Sequence, residues 1–381
     1  MEENNDKRTI KIKDEESKLD IIIENPIFYG SAVPKQETSY TETSHINYNG
    51  IDKQLDFTYP DKPILSHQAE MWETLNKFEN KAWSDKNSAI KTGYDMIDKG
   101  FDGGLYPGFI VVAGDSNLGK TAFMTNLAWN IIVNNDDVYV MDFSLDDSMP
   151  DKLGRMIACS GNITINAVKN PKNYINYPLM LARRKRAIVN LYSLTDRYIA
   201  FDASTTNFVE EIQEKILSTL IYFDEHKINK KIVVFIDNFH DMEIKESPGM
   251  AMKEKFDSLA QWCQDFTAKY DIVLICSAEL KKLNGSRRPQ LDDVREAVKI
   301  KYSAKATLLV YNELHYKKEA SNVYYTIANN PYKQPIFEVH FAKNKYHSYK
   351  GRVFFEFHPD MALMKECDPQ VQKAYTNIVY G

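Results

Sequence analysis

What this chain lacks narrows its class before any motif is considered. Its four cysteines, Cys159, Cys263, Cys276 and Cys367, stand far apart and form no CxxC pair. That spacing argues against a zinc site and against a disulfide framework, and it fits a reducing cytoplasm. No run of roughly 18 apolar residues occurs, the length that spans a bilayer, and residues 1–20 are charged. Secretion and membrane contact are therefore not expected. A net charge of -5 argues against a surface that coats nucleic acid indiscriminately, while leaving room for local basic loops that bind phosphates.

What is present suffices for a large core, with 43% hydrophobic residues in a chain of 381. Residues 1–60 are polar and read as a mobile N-terminal arm, because stretches such as Lys35 to Ser44 show neither helical nor strand periodicity. Between Pro63 and Trp83 the apolar residues Ile64, Leu65, Met71, Trp72, Leu75 and Phe78 are in part three to four apart. This predicts an amphipathic linker helix within 61–88 that needs a surface to pack against. From Ala89 onward short β-branched runs alternate with helical patterns: Phe109 to Ala113, Val138 to Phe143, Ile232 to Asp237, Ile272 to Cys276 and Ala306 to Tyr311. The alternation predicts an α/β domain over 89–360 with a central, mainly parallel sheet flanked by helices. Ile336 to Ala342 and Arg352 to Phe357 read as a hairpin near the sheet edge, and 361–381 as a C-terminal tail.

The segment Gly114-Asp115-Ser116-Asn117-Leu118-Gly119-Lys120-Thr121 follows a strand-like run and opens a helical pattern that continues from Ala122. It satisfies GxxxxGK followed by Ser or Thr, the phosphate-cradling loop. The glycines let successive N–H groups point at phosphate oxygens, and the helix N-terminus adds positive potential. Lys120 would neutralise the β/γ charge of ATP, and the Thr121 hydroxyl could ligate Mg²⁺.

A second apolar run, Ile232 to Ile236, ends in Asp237, which is where a P-loop site holds a carboxylate beside its Mg²⁺. A third ends in Ser144-Leu145-Asp146-Asp147. There Asp146 is the candidate base that polarises the attacking water, and either acid could instead cap the helix expected over 150–158. His240, just past the Asp237 strand, reads as a structural hydrogen-bonding group.

Several stretches outside the phosphate loop resemble the DnaB-type replicative DNA helicases, whose motors are RecA-like, over about Thr92 to Phe357. They are Thr92-Gly93-Tyr94-Asp95-Met96-Ile97-Asp98, Gly104-Leu105-Tyr106-Pro107-Gly108, Phe143-Ser144-Leu145-Asp146 and Arg155-Met156-Ile157-Ala158. Further on, the run from Arg287-Arg288-Pro289-Gln290-Leu291 to Arg295-Glu296 is similar to the family's RRP and DLRES segment. Ala342-Lys343-Asn344-Lys345 resembles its KxR element.

The resemblance implies an ATP- and Mg²⁺-dependent ring, expected to be a homo-hexamer, that moves on single-stranded DNA and unwinds a fork during replication in a bacterial cell or phage-infected host. It implies that Lys343 and Lys345 reach the γ-phosphate held by a neighbouring subunit, that Glu279 acts near the nucleotide, and that 61–88 docks on the adjacent subunit. It also implies DNA contact through the loops around Asn238 to Gly249 and 281–296, the second carrying Lys281, Lys282, Arg287, Arg288, Arg295 and Glu296. Aromatic stacking residues are absent from that second loop, so backbone tracking is expected there.

Three positions depart from the family: Asp146 stands for glutamate, Lys345 for arginine, and Glu279 lies near the usual glutamine. Aspartate is one methylene shorter, and lysine lacks the bidentate fork of arginine. These departures keep two alternatives open, a RecA-like recombination ATPase on single-stranded DNA and a nucleotide-binding interaction protein without hydrolysis. Residues 1–60 are too short for the family's helical N-terminal domain, so primase, polymerase or loader contacts are expected to differ or to come from other proteins.

Overall fold

The computed structural model describes residues 9–13, 20–24, 41–48, 51–58, 66–83, 88–245, 247, 249–283, 285–295, 297–327 and 331–380. The chain divides into two compact units, Met1–Asp85 and Lys86–Gly381.

In the first unit β1 (Thr9–Lys13) pairs antiparallel with β2 (Asp20–Glu24), and β3 (Thr41–Tyr48) with β4 (Ile51–Thr58). β3 overlaps the stretch Lys35 to Ser44, expected to lack strand periodicity, and that expectation is corrected from Thr41 onward. Ile10 and Ile12 do alternate with polar neighbours. The register of β3 and β4 runs from Thr41↔Thr58 to Tyr48↔Ile51. α1 (Ser66–Ala82) falls inside the stretch expected to be helical. Met71, Leu75 and Phe78, spaced to share one helix face, remain 61%, 55% and 65% exposed.

The second unit runs in this order: α2 (Asp95–Gly100), β5 (Gly108–Gly114), α3 (Lys120–Asn134), β6 (Val138–Ser144), α4 (Met149–Gly161), α5 (Ile165–Lys169), α6 (Pro178–Tyr192), β7 (Tyr198–Asp202), α7 (Val209–Glu225), β8 (Lys231–Asp237), α8 (Met252–Tyr270), β9 (Val273–Glu279) and α9 (Ala297–Ser303). It continues with β10 (Ala306–Tyr311), α10 (Glu313–Lys317), β11 (Tyr324–Tyr325), β12 (Gln334–Asn344), β13 (Arg352–His358), β14 (Leu363–Glu366) and α11 (Pro369–Tyr380). Among the described residues these strands form one ten-stranded sheet in the order β14-β13-β12-β10-β5-β9-β8-β6-β7, with β11 paired to β12.

From β10 to β7 all neighbours are parallel, and β12, β13 and β14 extend the β10 edge antiparallel. Every strand expected from the apolar runs is present. β7, whose five residues are a short signal, was not expected, and β14 and α11 occupy the stretch 361–381 expected to be a tail.

The central strands are buried on both faces, so they read as continuous apolar runs. Their side chains nevertheless sort with a period of two. Ile110, Val112, Val233, Phe235 and Ile275 join Phe123, Leu127 and Ile131 of α3 in one core. Phe109, Val111, Val234, Ile236 and Leu274 face the other way, against Ile212 of α7 and Leu259 of α8. No described helix is long and apolar enough to cross a membrane.

Candidate functional site

The phosphate loop lies where the parallel strands end, between the C-terminus of β5 and the N-terminus of α3. β5 connects through α3 to β6, which sits beyond β9 and β8 in the sheet. Such a crossover opens a crevice at the carboxyl ends of the strands. Gly119 caps α3 at φ +105°, a conformation that side chains rarely adopt, and a Cβ there would lie 3.0 Å from the Phe357 ring.

Lys120 Nζ donates to the carbonyls of Gly114 at 3.0 Å and Asp115 at 2.9 Å. A bound phosphate would compete for these donors. Burial lowers the Lys120 pKa, while Asp237, Glu279, Asp115 and Asp146 pull it back up, so four carboxylates share the field of one ammonium.

The carboxylates come from four strand ends, those of β5, β6, β8 and β9. Asp237 closes β8, and its Oδ1 accepts a hydrogen bond from Ser277 Oγ of β9. Its main-chain carbonyl accepts from Leu145 N at 2.5 Å and Asp146 N at 3.3 Å, which ties the β8 end to the β6 end. Asp146 and Asp147 have separate duties. Both line the cleft, but Asp147 pairs there with Arg155 of α4, whereas Asp146 forms no ion pair among the described residues. Burial, then Asp147 and Asp237, raise the Asp146 pKa above the ordinary carboxylate range. Neither acid caps α4, because Ser148 does, accepting from Asp151 N.

Ser116, Asn117, Gly119, Lys120, Thr121, Ala122, Asp146, Asp237 and Glu279 line one cleft of about 790 Å³. Of the remaining expected nucleotide contacts, Gly114 and Asp115 meet Lys120 through their carbonyls, and the Leu118 side chain is buried in the protein. Thr121 and Asp237 both line this cleft and offer hard oxygen donors, which suits Mg²⁺ completed by phosphate oxygens and water. No group of three or more His, Cys, Asp or Glu side chains among the described residues could hold a metal by itself.

Glu279 is joined to the basic loop that follows β9. Its carboxylate accepts from Arg295 at 2.8 Å, and its N–H donates to His240 Nδ1 at 3.3 Å. Burial takes the His240 pKa down to about 4, so at neutral pH the ring is uncharged and can accept. His240 thus supports the Glu279 backbone, a placement that its position in sequence does not signal.

Within the loop Arg287 forks onto both carboxylate oxygens of Asp293 at 2.6 Å each, and Lys281 and Lys282 are exposed. Arg288, expected at DNA, instead bonds Glu338 at 2.7 and 2.8 Å and Glu313 at 2.6 Å. Both acids are buried, and Arg288 bridges them, with Lys317 as the second cation of Glu313 and Arg352 that of Glu338. Glu296 lies outside the described residues.

Lys343 and Lys345 stand at the other end of the sheet. Asn344 pairs with Ala306, and Ala306 with Ile110 at the start of β5. At about 3.3 Å per residue, Gly114 is a rise of ~13 Å away along β5. Burial first, then Lys345, lowers the Lys343 pKa to about 8, and the amine donates to the Lys301 and Tyr302 carbonyls.

A further ionic group escaped the sequence reading. Lys152 of α4 and Asp142 of β6 lie 3.2 Å apart with both side chains fully buried, and the Tyr198 hydroxyl donates to Asp142 at 3.1 Å. Its only sequence signal is a polar residue inside an apolar strand.

Comparison with known proteins agrees with this geometry. A probable replicative DNA helicase of Trieres chinensis is 23% identical over 238 residues, 62% of this chain and 50% of that protein. The replicative DNA helicase DnaB of Geobacillus stearothermophilus is 22% identical over 288 residues, 74% of this chain and 57% of that protein. The chain thus spans about half the length of these curated relatives.

A solved DnaB-like replicative helicase, described with its interactions with primase, superposes with a TM-score of 0.65 at 21% identity, covering 79% of this chain and 70% of that one. That likeness shows a RecA-like fold. The family model for the DnaB-like helicase C-terminal domain matches residues 89–366, and the chain belongs to this family.

Proposed function

We propose that this member of the DnaB-like helicase family binds ATP with Mg²⁺ in the cleft beside Lys120 and hydrolyses it to move along single-stranded DNA, unwinding duplex during replication. The observation that carries the reading is the convergence of Lys120, Thr121, Asp146, Asp237 and Glu279 on one cleft. Thr121 and Asp237 would hold the metal, whose charge stabilises the transferring phosphoryl group. Asp146, its pKa raised, would accept the proton of the attacking water, while Asp147 is kept from that task by Arg155.

A ring is part of the proposal. Lys343 and Lys345 lie too far along the sheet to reach the nucleotide of their own chain, so they would serve that of a neighbour. The exposed apolar face of α1 (Met71, Leu75, Phe78) fits the same assembly, as a linker helix docked on the adjacent subunit. Residues 1–60 would form an N-terminal arm.

Lys281, Lys282, Arg287 and Arg295 are proposed to follow the DNA backbone, which gives affinity without sequence reading. A primase is the partner proposed from the likeness to a helicase described with one; a loader or polymerase contact and action in the cytoplasm are proposed on the family membership alone.

The test is steady-state ATP hydrolysis with and without single-stranded DNA, alongside strand displacement on a forked substrate. DNA-stimulated turnover that Lys120→Ala and Asp146→Ala each abolish is the expected result. Nucleotide binding without turnover would overturn the motor reading in favour of a binding protein, and turnover without displacement would favour a recombination ATPase.

A further inference from the structure

The phosphate loop and the basic loop after β9 are connected by a second route, independent of Glu279 and Arg295. Asp115 uses both carboxylate oxygens: Oδ1 accepts from Ser116 N at 2.8 Å, inside the phosphate loop, and Oδ2 accepts from the Tyr316 hydroxyl at 3.0 Å. Tyr316 belongs to α10, and its ring lies on that of Tyr311 with centroids 5.0 Å apart and planes within 7°. Tyr311, at the end of β10, is fully buried, and its hydroxyl donates to the Ser286 carbonyl at 2.6 Å. The Arg288 guanidinium lies 5.1 Å from the centre of the same ring and bonds Glu313 in α10.

Each tyrosine therefore commits its one polar side-chain atom to a different loop, while the apolar parts are held face to face. Stacked rings are stiff and carry two χ angles each, so displacement of one hydroxyl is passed on rather than absorbed. A phenylalanine would fill either place in the stack, so the hydroxyls are not needed for packing.

We propose that Tyr316 and Tyr311 are positioning residues, forming an aromatic relay that couples the phosphate loop to residues 285–295 and so sets the pose of Arg288 and Arg295 according to the nucleotide. The inference rests on the nucleotide-binding part of the proposed function, and it does not require that the chain unwinds DNA. Spatial intermediacy alone would not establish coupling, so the test must perturb one end and read the other.

The experiment is amide hydrogen exchange of residues 285–295 in the full chain, with and without a non-hydrolysable ATP analogue and Mg²⁺. It compares the natural protein with Tyr316→Phe and Tyr311→Phe. The expected result is a nucleotide-dependent change in exchange for the natural chain that falls by about fivefold in each variant, the factor a single hydrogen bond represents. Nucleotide affinity should remain that of the natural chain, and the melting temperature should fall by no more than the few degrees that one hydrogen bond represents. Full retention of the change in both variants would overturn the relay, as would no change in a natural chain that binds the analogue. Failure of the natural chain to bind the analogue would overturn it together with the phosphate site. A relay that passes this test in a chain without DNA-stimulated turnover would stand, and only the motor reading would fall.

Discussion

Arg295 donates a 2.8 Å hydrogen bond from its guanidinium to the carboxylate of Glu279, joining the basic loop after β9 to the wall of the phosphate cleft. Both side chains are partly exposed, 43% for Arg295 and 31% for Glu279, so the pair is accessible to competing charges. A DNA phosphate would compete with Glu279 for Arg295, and a γ-phosphate would compete with Glu279 for the field of Lys120. One carboxylate therefore stands between the two anionic ligands of the proposed motor.

Arg295→Ala should weaken binding of single-stranded DNA evenly across sequences and reduce the slope of log affinity against log salt by about one. Glu279→Gln should do the reverse, tightening binding severalfold by removing the competing charge. Fluorescence anisotropy with labelled oligonucleotides over a salt series measures both. An unchanged slope in Arg295→Ala would confine Arg295 to its ion pair.

Turnover should depend on Asp146 in a direction set by its raised pKa. The base works unprotonated, so activity should fall as pH drops through that raised value, giving an acid limb above the ordinary carboxylate range. Asp146→Asn should lower kcat by ~10²-fold or more and leave the residual rate without that limb. The pH profile of kcat checks this, and a limb that persists in the variant would reassign it to another group.

Lys343 carries the opposite signature. Its pKa is lowered to about 8, so its charge is lost as pH rises through that value. If the cation serves a neighbouring nucleotide, turnover of the assembled protein should decline above pH 8. Lys343→Arg, charged throughout that range, should abolish the decline. An identical alkaline limb in the arginine variant would exclude Lys343 from the reaction.

The buried pair Lys152 and Asp142 should govern stability. Lys152→Ala leaves the Asp142 carboxylate buried without its cation and should cost ~3–5 kcal/mol, whereas replacing both by Met and Leu should recover most of that loss. Chemical denaturation of the three proteins measures the effect. A single variant as stable as the natural chain would show that water reaches Asp142.

His240 should add a pH-dependent term of known sign. Its folded pKa, about 4, lies below the ordinary histidine value of 6.5, so between these values the unfolded chain binds the extra proton. Stability should fall as pH drops from 6.5 towards 4, and His240→Gln should flatten that part of the curve. Thermal melts over this range provide the measurement.

The sequence alone determined the phosphate loop, the strand that ends in Asp237 and the parallel α/β order, because each is written in contiguous residues. A GxxxxGKT run between a strand and a helix has one mechanical meaning, and apolar runs of five or six residues are a local property of buried strands. Where the run was short, as in β7, or alternated over only a few positions, as in β1, the local signal was too weak to read.

Only the tertiary structure decided which of two adjacent acids is tied up in an ion pair, because both line the cleft and Arg155 of α4 pairs with Asp147 alone. It decided that Arg288 is internal, through acids 25 and 50 residues away, and that Ser277 holds Asp237 from 40 residues away. It also placed Tyr316 on Asp115 across 201 residues. These partners meet because strand register sets neighbouring loops side by side at one sheet edge. Register is a property of the assembled sheet, and no local spacing in the chain encodes which side chains it will bring together.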